Sequence, residues 1–184
     1  GYQCADLQDV ADDLGVGKGT LYRYFPTKEA MFTAAADRVM VRMRGTIDAA
    51  VAGVEDELEV IRAAVRAYLS YFDRNPEFVE LLIQERAEFR DRKRSTYFAH
   101  REANMGAWRA FYARLIAAGK MRDIPVDRIT EVMSNAIYGA MFTNYFAGRR
   151  KPLADQADDI LDVLFHGLLV GRERNGRKGK GARS

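Results

Sequence analysis

The sequence predicts an all-α protein. Over most of its 184 residues, apolar side chains recur at intervals of three and four positions, as they do along one face of a helix. Glycine, proline and asparagine separate these segments, and residues that cap helices stand where several of them begin. No segment has the alternating apolar and polar pattern of a strand, and the sequence contains no internal repeat.

The first predicted helix is capped by Asp6 and ends before Gly15, a residue suited to the left-handed conformation that closes many helices. A second, short helix fits between Gly17 and Pro26. The first helix has an apolar stripe with helical spacing, formed by Leu7, Val10, Ala11 and Leu14. Two short helices joined by a tight turn predict a helix-turn-helix motif.

Longer helices are predicted after Pro26. Thr27 is the expected N-cap of the first of them, which runs to about Val51. The cationic run from Arg90 to Arg94 is interpreted as a solvated helix end rather than an anion site. The remaining predicted helices are Glu57 to Arg74, Phe78 to about Lys93, Thr96 to Ala118, Val126 to Ala147 and Leu153 to about Val170.

Composition is that of a globular protein, with 48% apolar and 30% charged residues. The single cysteine, Cys4, fits a reducing cytoplasm, and neither a bilayer-spanning run nor a signal peptide is visible. The net charge is +3, but residues 172–184 alone contribute +5, so the preceding chain carries −2. The overall charge therefore does not argue for a nucleic-acid partner, and any such argument depends on a local patch.

The segment from Gly15 to Lys28 contains such a patch. It holds three cations and no acid, and its lysine, threonine, tyrosine and arginine side chains all donate hydrogen bonds. A short positive helix that is dense in donors suits the major groove of DNA. The alternative is a surface helix whose tyrosines are half-buried packing residues.

The opening region resembles the tetracycline-repressor (TetR) family of bacterial transcription regulators. The resemblance lies in residues 1–2, in LQDVADDLGV at 7–16 and above all in GKGTLYRYFPTKEA at 17–30. It implies a helix-turn-helix DNA-binding domain at 1–45 and a ligand-binding and dimerisation domain at 46–171. The composition of residues 172–184 separately predicts a basic, flexible tail. The DNA contacts of the family fall by position on Lys18, Gly19, Thr20, Tyr22, Arg23, Tyr24 and Lys28.

Two features depart from the family. The helix that usually comes first in family members does not precede Gly1, which implies a longer native chain or a helix missing from it. Ala5-Asp6 replaces a common Thr-Ser-like pair, so the expected phosphate hydroxyl is absent. Residues 1–53 hold six cations against seven acids, which predicts weak non-specific attraction to DNA.

The resemblance also implies a dimer through the last two helices. Small residues at Ala136, Gly139, Ala140 and Thr143 permit close helix contact. The last helix has a wide apolar arc, formed by Ile160, Leu161, Leu164, Phe165 and Leu168.

A pocket for a mostly apolar ligand is expected among the middle helices. Each of its candidate residues is, more often than not, ordinary core. The apolar candidates are Phe72, Phe78, Leu82, Met105, Trp108, Tyr112, Tyr138, Met141, Phe142 and Tyr145, and the polar ones are Glu85, Arg101 and Asn135.

No catalytic motif is recognisable, and His100 and His166 are isolated, so we expect neither enzymatic activity nor a cofactor or metal. The leading hypothesis is a ligand-responsive, DNA-binding repressor that leaves a pseudo-palindromic operator when its effector binds. The alternatives are a small-molecule-binding protein with weakened or lost DNA binding and an all-α protein-interaction module. The identities of the effector and the operator stay open at this point.

Overall fold

The computed structural model describes residues 1–148 and 151–167 of the chain. Over these residues it contains helices and no strand, which confirms the all-α prediction, and no helix there has the length and apolarity to cross a bilayer. Leu168 and the basic tail lie outside the described residues. The helices are α1 (Leu7–Asp13), α2 (Lys18–Tyr24), α3 (Lys28–Val51), α4 (Glu57–Arg74), α5 (Pro76–Glu88), α6 (Thr96–Ala117), α7 (Val126–Ala147) and α8 (Leu153–His166).

The helix starts follow from local capping chemistry. The Asp6 side chain accepts a hydrogen bond from the backbone N–H of Gln8 at 2.8 Å, and Thr27 Oγ1 accepts one from Ala30 at 3.0 Å. Both predicted N-caps are therefore confirmed. Pro76 begins α5 because proline is favourable in the first turn, which places the start two residues before the predicted one.

Two hydrophobic clusters hold the helices together. The small one contains Leu7 and Ala11 of α1 and Leu21 of α2, with Met31 at the start of α3 packed against it. The large one joins α3 to α8 around α4, which packs against α3, α5, α7 and α8 and contributes Phe72, only 1% exposed. Helix α3 has residues in both clusters and so connects them.

The chain between α5 and α6 leaves the helix five residues before the predicted end near Lys93. The cause is Glu85, which is 1% exposed and whose Oε1 accepts hydrogen bonds from Arg92 Nη1, Thr96 N and Thr96 Oγ1, each at 2.8 Å. These bonds fold residues 89–95 back over α5. The predicted solvated helix end is therefore wrong for Arg92, which forms an ion pair with a buried carboxylate.

A second set of contacts joins the N-terminal segment to α5. The rings of Tyr2, Phe32 and Phe89 pack against one another with centroids 5.1–5.5 Å apart, and we call them the Tyr2–Phe32–Phe89 cluster. Beside it the backbone N–H of Tyr2 donates to Gln84 Oε1 at 2.8 Å. Hydrogen bonds continue along α5 from Gln84 to Glu80 at 3.0 Å, and Glu80 accepts from the Tyr145 hydroxyl of α7 at 2.5 Å.

Replacing Arg92 tests the α5–α6 closure. We expect Arg92→Ala to lower the free energy of unfolding by about 1–3 kcal/mol, because the buried carboxylate of Glu85 loses its charged partner. Urea denaturation followed by circular dichroism measures the change. The control is Lys93→Ala, an exposed neighbour with no ion pair to a described residue. Equal midpoints for the two variants would contradict the assigned role of Arg92.

Candidate nucleic-acid interface and ligand cavity

The turn between α1 and α2 is a Schellman motif centred on Gly15. The N–H of Val16 donates to Ala11 O at 2.9 Å, and the N–H of Gly15 donates to Asp12 O at 3.0 Å. Gly15 has φ +66°, which is strained for a residue with a Cβ. Val16 then packs against the small cluster, so the direction of α2 is fixed by backbone hydrogen bonds and apolar burial together.

Helix α2 is anchored by one side and presents polar groups on the other. Leu21 is buried, whereas Tyr22, Arg23 and Tyr24 are exposed, Tyr24 to 69%. The Arg23 guanidinium carbon lies 5.4 Å from the centroid of the Tyr24 ring. A methyl group at Gly19 would meet no atom within 4 Å, so this stretch of backbone is open to a partner.

The cations at the two ends of this surface have intramolecular partners. Lys18 Nζ lies 3.3 Å from Asp6 Oδ1, and the hydrogen bond from Gln8 together with Lys18 lowers the pKa of Asp6. Lys28 Nζ donates to the backbone oxygen of Gln3 at 3.2 Å and lies 4.9 Å from the centroid of the Tyr2 ring. The exposed carboxylate of Asp6 is thus used both in capping α1 and in neutralising Lys18.

The predicted DNA-contact residues lie on two consecutive helices. Six of them lie on α2, and Lys28 begins α3 immediately beyond the Pro26 turn. Gly19, Tyr22, Arg23 and Tyr24 are exposed, and Lys18, Thr20 and Lys28 are half-buried.

A cavity of about 280 Å³ lies between α3, α4, α6 and α7. Its wall is mostly apolar, and four of the predicted pocket residues line it on successive turns of α6. These are Arg101, Met105, Trp108 and Tyr112. Helix α3 closes one side with Met43, Ile47 and Val51, which sequence reasoning did not place at a pocket. Their spacing of four residues along α3 is the signal that could have found them.

Polar residues also reach this mostly apolar cavity, among them Arg44, Asp48, Asn104, Thr130 and Ser134 as well as buried tyrosines. The hydroxyls of Tyr68 and Tyr97 are 2.9 Å apart, and burial raises the pKa of Tyr97 to about 12 and that of Tyr68 well above 10. Burial also raises the pKa of Tyr112 to about 12. All three therefore stay protonated near neutral pH as hydrogen-bond donors. Arg101 Nε is buried without a hydrogen-bond partner among the described residues.

The other predicted pocket residues lie elsewhere. Leu82, Tyr138 and Phe142 line an open groove beside the cavity, together with Arg101. Phe72, Met141 and Tyr145 surround a separate space of about 300 Å³ near the start of α8. The three that line none of these spaces are Phe78, packed on the large cluster, Glu85, buried against Arg92, and Asn135, exposed on α7.

The N-terminal region matches a family model. Residues 1–35 match the model TetR_N, described as bacterial regulatory proteins, tetR family. The nucleoid occlusion factor SlmA of Glaesserella parasuis serovar 5 (strain SH0165) is 31% identical over 91 residues, which are 50% of this chain and 45% of that protein. The chain therefore spans about half the length of the curated relatives it matches.

Solved structures share the fold over nearly the whole chain. The TetR family transcriptional regulator PfmR from Thermus thermophilus aligns with a TM-score of 0.73 at 22% identity, over 92% of each chain. The transcriptional regulator FadR from Bacillus subtilis, in complex with stearoyl-CoA, aligns with a TM-score of 0.73 at 17% identity, over 92% of this chain and 91% of that chain.

Two glycines of the interface offer a matched comparison. We expect Gly15→Ala to lower the free energy of unfolding by about 1–2 kcal/mol because it forces a Cβ into the left-handed region. Gly19→Ala lies within α2 with open space around it, so we expect a gain of up to about 0.5–1 kcal/mol. Thermal unfolding of both variants checks the prediction, and a destabilised Gly19→Ala would contradict the open geometry.

Proposed function

We propose that the chain is a ligand-responsive, DNA-binding transcriptional regulator of the tetR family that acts as a repressor, because residues 1–35 match that family's model and the fold is shared with a solved regulator of the family. The observation that carries the proposal is the exposed donor surface of α2, held in a fixed direction by the Schellman turn at Gly15. We assign residues 1–45 to DNA binding, 46–171 to ligand binding and dimerisation, and 172–184 to a basic tail.

In this proposal α2 enters the major groove. The open backbone at Gly19 allows close approach, the methyl group of Thr20 suits a thymine methyl, and the hydroxyls of Tyr22 and Tyr24 suit phosphates. Lys28 lies at the start of α3, where free backbone N–H groups and the helix dipole favour an anion. A phosphate there would replace Gln3 O as the partner of Lys28.

We propose a two-fold dimer through α7 and α8. One face of α7 leaves large and small residues uncovered in the single chain: Val132, Gly139, Thr143 and Phe146 are all exposed, Phe146 to 69%. On α8, Val163 is exposed as well. A two-fold axis through this face would present two α2 helices to half-sites about 34–36 Å apart on a pseudo-palindrome.

The cavity supports an effector with a substantial apolar part. It is bounded by α3, the same helix that begins at Lys28 in the DNA-binding domain. An effector that repositions α3 through Met43, Ile47 and Val51 would change the spacing of the two α2 helices. Coupling of about 1–3 kcal/mol, or roughly 5–150-fold in operator affinity, is sufficient for release. The stearoyl-CoA in the FadR structure suggests a long-chain acyl group as the apolar part.

A second candidate function is small-molecule binding with weakened DNA binding. The ion pair between Lys18 Nζ and Asp6 Oδ1 favours this second function, because an exposed carboxylate beside a proposed phosphate contact repels the phosphate and weakens DNA binding. Full-length protein that binds ligand but protects no operator would select this candidate.

Removing two donors tests DNA binding directly. We expect Lys18→Ala with Tyr22→Ala to lower operator affinity by roughly 10–100-fold, since each group is lost from a phosphate or base contact. Lys18→Ala alone should also reduce the slope of log affinity against log salt by about 1. Footprinting on DNA upstream of the gene and fluorescence anisotropy measure these effects. The control is Arg122→Ala, at the exposed turn after α6, and equal footprints for control and double variant would refute the assignment.

Filling the cavity tests the effector site. We expect Ala64→Phe, a substitution in the α4 wall of the cavity, to leave operator binding intact and to weaken acyl-ligand binding at least tenfold. The variant should remain on the operator in the presence of lauroyl-CoA, as judged by anisotropy. Ala113→Phe on the exposed side of α6 is the matched control. A wild-type ligand response from Ala64→Phe would contradict the cavity assignment.

A further inference from the structure

Beside the apolar cavity lies an open groove of about 930 Å³ between α5, α6 and α7. Five cationic side chains line this cationic groove, against the single acid Glu102. They are Arg86, Arg90, Lys93, Arg94 and Arg101. Such a concentration of one charge around a concave surface attracts anions.

Among the residues that the structure describes, no carboxylate forms an ion pair with any of these five cations. Arg86 and Arg90 donate only to backbone carbonyls, of Arg90 and Ala87 at 3.4 and 3.2 Å. The contrast is Arg92 in the same loop, which points away from the groove to the buried Glu85. The loop thus separates its structural arginine from the cations that line the groove.

The cavity and the groove share a wall. Tyr97 and Arg101, one helical turn apart on α6, line both spaces. Arg101 has a buried Nε without a partner among the described residues, and its guanidinium carbon lies 6.0 Å from the centroid of the Phe98 ring. A ligand that passes this wall would therefore place an apolar portion on one side and an anionic portion on the other.

We propose that the cationic groove binds the phosphorylated head of an amphipathic effector whose apolar chain occupies the cavity. This inference rests on the proposed function and specifies its ligand. Arg101 stands at the junction, where it donates to the first polar group beyond the chain. Arg86, Arg90, Lys93 and Arg94 bind phosphates further along, and Phe98, 40% exposed, offers a ring face on which a nucleotide base stacks.

Paired ligands separate the contribution of the groove from that of the cavity. Lauroyl-CoA carries both chain and phosphorylated head, laurate carries the chain, coenzyme A carries the head, and dodecyl phosphate has a single phosphate without a base. Isothermal titration of the full chain should rank lauroyl-CoA at least tenfold above laurate and coenzyme A. Its affinity should also fall more steeply than that of laurate between about 0.05 and 0.5 M salt, since exposed charges are screened.

Charge reversal locates the head. We expect Arg90→Glu and Arg94→Glu each to lower the affinity for lauroyl-CoA by roughly tenfold or more and the affinity for laurate by less than about twofold. Arg122→Glu makes the same charge change outside the groove and should alter neither. If Phe98→Leu lowers the affinity for lauroyl-CoA but not for dodecyl phosphate, the groove binds a nucleotide head. If the variant lowers both affinities equally, the groove binds a phosphate head alone.

Several results would overturn the inference. A phosphorylated head in this groove would be excluded if lauroyl-CoA and laurate bound with equal affinity, or if both glutamate variants bound lauroyl-CoA as tightly as the unmodified chain. It would also be excluded if lauroyl-CoA did not bind at all. The proposed regulator would survive any of these results, because operator footprinting and the Lys18→Ala with Tyr22→Ala variant test it without a ligand.

Discussion

The continuity of α3 is the constraint on which the rest of the structure depends. Its 24 residues extend about 36 Å without a break, from Lys28 to Val51. Met31 packs on the small cluster, Val39 and Met40 belong to the large one, and the last turns close the cavity. A rigid helix that serves both clusters cannot move at one end without displacing the other. In the proposed regulator, a single secondary-structure element rather than a chain of loops would therefore bridge the distance between the effector and DNA.

Helix α3 is supported by a second connection through α5. The Tyr2–Phe32–Phe89 cluster fixes the N-terminal segment and α3 to the end of α5 by aromatic packing. Hydrogen bonds then run from the Tyr2 backbone through Gln84 and Glu80 to Tyr145 on α7, and the bond from Tyr145 lowers the pKa of Glu80. Helix α7 also lines the cavity and carries the proposed dimer face. Both connections therefore converge on the elements that a ligand and a partner subunit would contact.

Sequence periodicity predicted most helices because burial of one face is a local property of the chain. The bounds of α3, α4 and α7 agree with the expectation to the residue. The cavity is different, since periodicity shows that a face is buried but not whether the space opposite is filled. Met105 and Met141 both lie on buried helix faces, yet Met105 lines the cavity and Met141 lines the separate space near α8, because the neighbouring helices leave room in different places. The sequence pattern suggests Glu85 as a ligand anchor, whereas in the structure it binds Arg92 and Thr96. These contacts form only because a loop folds back, which no local pattern predicts.

In the proposed regulator, the partners of Lys18 and Lys28 within the protein would limit how strongly a single copy binds DNA. In such a complex DNA would have to displace Asp6 from Lys18 before a phosphate contacts that lysine, and an exposed ion pair of this kind is weak because water screens both charges. The competition would therefore be small for one contact, but it would recur in each copy, and residues 1–53, with six cations against seven acids, have no excess of positive charge to offset it. Stable binding then depends on joining two domains so that the second contact forms at high effective concentration. A ligand that altered only the spacing of the two domains would remove this advantage without breaking any individual contact. Weak separate contacts would then be a condition for regulation.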